Sequence, residues 1–121
     1  MDGMAEGRMA RRVASELLEC ARLLTSGNLE QRELYFYVIG NDGFRRRMVE
    51  PVIANLRRKV AKGVYDARLA EKAFLHVADE AARSYAKEFA DEDAWADIFP
   101  RQDRKGVAKD LFGYYEEEIM G

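Results

Sequence analysis

The sequence predicts an all-α protein: a single helical domain over residues 1–121, built as a bundle of five or six helices, one of them bent near Pro51. Three observations carry this. Apolar residues recur at steps of three and four through most of the chain. Alanine, leucine, glutamate, lysine and arginine, all good helix formers, are abundant. Only two prolines occur, and runs of β-branched residues are few. A chain of 121 residues with 48% apolar and 35% charged side chains can close one core without disulfides or metal.

The first helix is expected over residues 4–26, where Val13, Leu17, Ala21 and Leu24 form one apolar stripe. Gly27 suits a helix C-terminus. Asn28, with Gln31 three residues on, has the pattern of a capping box for a second helix. That helix carries the run from Leu34 to Ile39, aromatic enough that a short strand is the alternative. Its N-terminal cap and the lack of a partner strand favour the helix.

Gly40-Asn41-Asp42-Gly43 is the strongest turn signal in the chain. After it, Phe44, Met48, Val52, Leu56 and Val60 keep a four-residue step, supported by Val49 and Ile53. Pro51 falls within that pattern. Its missing N–H and its ring predict a kink or break near Glu50, with the apolar phase carried through. Gly63 and Asp66 predict a tight corner, a left-handed stop followed by an N-cap, with Tyr65 turned inward.

The helix opened by Asp66 should run to about Phe89 with Leu69, Ala73, Val77, Ala81 and Tyr85 on its stripe, joined by Phe74 and Phe89. Its alanines permit close approach and place it centrally. Ala90 to Asp93 reads as an acidic linker. Trp95, Ile98 and Phe99 are expected to form one turn that closes the core like a lid. Pro100 then begins the last helix, with Val107, Leu111, Tyr115 and Ile119 as its stripe.

Composition excludes several function classes. No apolar stretch approaches the roughly 18 residues of a membrane span, and the charged N-terminus MDGMAEGRMARR is unlike a signal peptide. One cysteine, Cys20, fits a reducing compartment, so a cytoplasmic location is expected. His76 is the only histidine, and no nucleophile motif, phosphate loop or paired-ligand spacing accompanies it. The acidic residues Asp91, Glu92, Asp93 and Asp97 lack the calcium-loop pattern and read as caps and solvated charge. No catalytic residue, metal or cofactor is therefore expected.

Two candidate binding features remain. On a regular helix, Arg46, Arg47, Arg57, Arg58 and Lys62 share the side opposite the apolar arc, and could meet phosphates or partner carboxylates. The same pattern is also that of an ordinary solvated helix face. Tyr35 and Tyr37 flank Phe36, and three consecutive aromatics cover most of a helix, so one tyrosine is expected to be exposed and available. Charge is polarised: residues 1–63 carry 12 Lys and Arg against 8 Asp and Glu, and residues 64–121 carry 8 against 14.

The segment NLRRKVAKGVYD at residues 55–66, followed by Ala78, Asp79, Ala81, Ala82, Tyr85, Lys87, Glu88 and Phe89, then Trp95, Phe99 and Pro100, and a final helix with Arg104, Val107, Ala108 and Glu116 to Glu118, resembles a group of small uncharacterised proteins. Bacteriophages, plasmids and other mobile elements encode that group. The resemblance covers residues 35–119. It implies a setting and no catalytic residue. The expected function is a non-catalytic, protein-binding accessory factor whose partner is a host or phage protein. One version is an inhibitor of a host defence nucleoprotein such as a CRISPR effector. The alternative is a nucleic-acid-binding module using the basic helix face.

Overall fold

The structure is a computed structural model that describes residues 29–121. The expected helix over residues 4–26, the Asn28 cap and Cys20 lie outside the described residues. Five helices follow in order. Helix α1 is Leu29–Gly40. Helix α2 starts as Asp42–Phe44, passes through a π-helical stretch at Arg45–Val49 and continues as Glu50–Ala61. Helix α3 is Ala67–Phe89. A 3₁₀ turn, Glu92–Ala94, leads into the short α4, Trp95–Ile98, and α5 is Arg101–Met120. No strand occurs among the described residues, so residues 34–39 are helical.

The predicted four-residue turn between α1 and α2 contracts to one non-helical residue. Asn41 has an extended backbone, and its side-chain oxygen accepts from the Phe44 amide at 3.0 Å. Asp42 and Gly43 are already helical, because one good cap satisfies the new helix's first amides without a longer loop.

Pro51 acts upstream of its own position. The Glu50 amide reaches back five residues to the Arg45 carbonyl, and the backbone stays right-handed helical through Val49 and Glu50. The wider π turn carries the chain into the proline, which sits in the first turn of the following α-helical stretch, where a missing N–H costs little. It also alters the core phase. The buried residues are Phe44, Val49, Ile53 and Leu56, a step of five and then steps of four and three. Met48, Val52 and Val60, expected to lead the stripe, are half-buried at its edge.

The predicted corner is a Schellman motif. Gly63, at φ +73°, donates to Val60 O at 3.1 Å, and Val64 donates to Lys59 O at 2.9 Å. Asp66 then accepts from the Arg68 amide at 2.9 Å, and Tyr65 packs against the core. Gly63→Val should cost more than about 1 kcal/mol, because β-branched residues resist positive φ. A thermal melt unchanged from wild type would contradict that role.

Helices α3 and α5 form the central pair, with α1 and the second half of α2 against them. The buried face of α3 is Ala70, Phe74, Val77, Ala78, Ala81, Ala82 and Ala86. This corrects the expected stripe by a fraction of a turn. Leu69 and Phe89 are 44% and 62% exposed, because the alanine face, rather than the bulkier residues, takes the close helix contacts. Phe89 instead packs its ring against Tyr37, in a T-shaped pair, and against Tyr85, in a tilted one. On α5, Val107, Leu111, Tyr115 and Ile119 are buried as expected. Phe74 lies between α3 and α5, stacked on Tyr115 and tilted against Phe112.

Phe99 seals the far end of this pair, and Trp95 and Ile98 pack over the core beside it. Two arginines lie over Trp95. The guanidinium carbons of Arg83 and Arg104 lie 4.4 and 4.6 Å from its ring centroids. Arg104, 8% exposed, also donates to the Phe99 carbonyl at 2.9 Å and to Asp79 at 2.6 Å. One side chain thus ties α3, the α4 turn and α5 together.

Candidate functional site

The sequence candidates separate once folded. Tyr35 is in the core at 3% exposed, with edge contacts to Phe36 and Tyr114. Tyr37 is half-buried between Phe44, Tyr85 and Phe89. Its hydroxyl lies 2.8 Å from Ser84 Oγ and donates to Glu88 at 3.1 Å. Burial raises the pKa of that hydroxyl. The expectation of one exposed, available tyrosine among residues 35–37 is therefore corrected. Helix α1 lies against both α3 and α5, which draws Tyr35 into the core and leaves Tyr37 half-buried. The exposed tyrosine of the fold is Tyr114, on α5.

Arg46, Arg47, Arg57, Arg58 and Lys62 are all exposed on the outer side of α2. They do not converge on one pocket. Arg47 leans over Phe44 and lines a cleft toward α3 with Arg83, Lys87 and Glu80. Arg57 borders a different cleft toward α5, beside Tyr115 and Glu118. This arrangement is a solvated arc whose two margins face different neighbours.

A stronger concentration of cations lies where sequence spacing did not place one. Arg68 and Lys72 stand one turn apart on α3, and Lys105 and Lys109 stand one turn apart on α5. The two pairs flank a groove of about 670 Å³ with Leu75 and the buried Ala108 on its floor. Glu71 is the one carboxylate that lines it. All four cations are exposed, and Arg68, Lys72 and Lys105 form no salt bridge among the described residues. The aliphatic stems of such residues extend an apolar floor while their charges stay in water. Chemically, the groove offers an apolar strip between two rows of positive charge.

The opposite flank of α5 is closed. Gln31 of α1 donates to Asp110 at 3.1 Å and lies over Gly106, where a Cβ would come within 2.4 Å of its amide nitrogen. Gly106 is where α1 crosses α5.

Among the described residues, no group of three or more His, Cys, Asp or Glu side chains is placed to hold a metal ion. His76 is exposed on α3. Among those residues, no helix is long and apolar enough to cross a membrane. No protein-family model, curated protein or solved structure matches this chain.

Proposed function

We propose that this is a non-catalytic protein-binding accessory factor that takes an acidic, amphipathic segment of a host or phage protein into the α3–α5 groove. The observation that supports it is the groove's composition: Arg68, Lys72, Lys105 and Lys109 around a floor of Leu75 and Ala108. An amphipathic helix laid in such a groove would bury its apolar residues on the floor and pair its carboxylates with the rim. A phosphate backbone would use the rim and leave the floor empty. The chain's overall charge of −2 also disfavours nonspecific nucleic-acid binding. The setting we propose is a phage or mobile element in the bacterial cytoplasm, with an inhibitor of a defence nucleoprotein as one form of it.

The test is parallel capture from nuclease-treated bacterial lysate with the wild type and two charge-reversed variants. Lys72→Glu, Lys105→Glu and Lys109→Glu together should abolish retention of the wild-type partner. Arg46→Glu, Arg57→Glu and Arg58→Glu together should leave it in place. The opposite pattern would move the site to α2. Retention lost on nuclease treatment, with salt-sensitive binding to DNA or RNA by the pure protein, would favour the nucleic-acid alternative.

A further inference from the structure

We propose that the cleft between the π-helical turn of α2 and the end of α5 binds a free α-amino acid with an apolar side chain. The site is separate from the groove between α3 and α5. It has a volume of about 380 Å³, within the range of small-ligand pockets. Its inner wall is Val49, Ile53 and Ala54.

Two polar atoms in its lining, the Tyr115 hydroxyl and Arg45 Nε, are buried close to each other, and neither makes a well-aligned hydrogen bond. Tyr115 is 7% exposed. Its ring is fixed by stacking on Phe74, which holds the hydroxyl at the cleft rather than in water. Buried polar atoms with poorly aligned bonds have hydrogen-bonding capacity to offer a ligand. Arg45 pairs its outer nitrogen with Asp42 and also lines the cleft. Burial raises the Tyr115 pKa, and the neighbouring Arg45 works against that rise. The hydroxyl therefore stays protonated near neutral pH, able to donate. Arg45 and Val49 both come from the π-helical stretch, a local geometry that is frequent at functional sites.

The charges set the ligand class. Arg45, Arg57 and Tyr115 supply donors suited to a carboxylate. Glu50 and Glu118 line the same cleft. They would repel a ligand that is only anionic and would attract an ammonium group. A free amino acid carries both charged groups on one carbon, and its apolar side chain can lie against Ile53 and the exposed Ala54.

Titration of the ¹⁵N-labelled full chain tests this, with L-leucine, N-acetyl-L-leucine, L-leucinamide and inorganic phosphate as probes. Leucine should shift amide resonances at residues 45–57 and 115–118. The two blocked forms and phosphate should bind at least about tenfold more weakly, each lacking one charged partner or the apolar group. Tyr115→Phe should fold with little change in melting temperature, because the lost hydroxyl makes no well-aligned hydrogen bond in the free protein, and yet bind leucine about tenfold more weakly. Glu118→Gln, at an exposed position, should weaken leucine and leave N-acetyl-leucine unchanged. Unmoved resonances at about 20 mM leucine, phosphate binding as well as leucine, or full affinity in both variants would overturn the assignment.

Discussion

Arg104→Met is expected to lower the melting temperature by on the order of 10 °C, corresponding to about 2–3 kcal/mol. Methionine preserves much of the aliphatic volume but removes the charge-assisted bond to Asp79 and the bond to the Phe99 carbonyl. It also removes one of the two cations stacked on Trp95. A fully buried broken pair costs about 3–5 kcal/mol, and the figure here is reduced because the Asp79 side chain keeps 27% exposure and can rehydrate. Asp79→Ala should cost much less in the Arg104→Met background than in the wild type, since the two share one interaction. Additive losses in that double-mutant cycle would mean that the ion pair contributes nothing to the junction of α3, α4 and α5.

Phe74→Ala should be the most damaging single change, at about 3–5 kcal/mol by urea denaturation. The ring is fully buried between the two central helices and touches Phe112 and Tyr115. Its removal leaves a cavity bounded by rigid aromatic rings, which collapse poorly. Phe74→Leu, which keeps most of the apolar volume, should lose much less. A loss below about 1 kcal/mol for the alanine variant would show that the α3–α5 interface can repack, contrary to its place here.

Much of the architecture was legible because it depends on local chemistry. The Gly63 and Asp66 corner needs only a residue that tolerates positive φ and a side chain that caps, and both occur at the right spacing. The stripe on α5 follows regular helical spacing. Arg104 lies three residues before Val107, on the same side of α5, but its residue type argued against an inward position. An arginine is expected at the surface because burial of an unpaired charge is costly. Only the fold supplies Asp79 and the Phe99 carbonyl as partners.

Two misreadings have other causes. The α2 phase depended on a regular helix, and the π turn before Pro51 moved Val49 and Ile53 to the centre of the buried face. On α3, apolar size was a poor guide to facing, because alanine suits close helix contacts better than Leu69 or Phe89.

The site was less legible than the fold. Arg46, Arg47, Arg57 and Arg58 are conspicuous as two adjacent pairs in sequence, but Arg47 and Arg57 border different clefts. Arg68 and Lys72 are more than thirty residues from Lys105 and Lys109, and only the packing of α3 on α5 makes them one groove. Within each helix the i, i+4 spacing was visible. Their convergence was not, because periodicity reports which side of a helix a residue occupies and not which other helix flanks it.

Hydrogen exchange on the complex with the captured partner addresses the central claim most directly. Binding in the groove predicts slower amide exchange at residues 67–75 of α3 and 104–110 of α5, with residues 46–62 of α2 unchanged. Slowing confined to residues 46–62, with the groove segments exchanging as in the free protein, would contradict it.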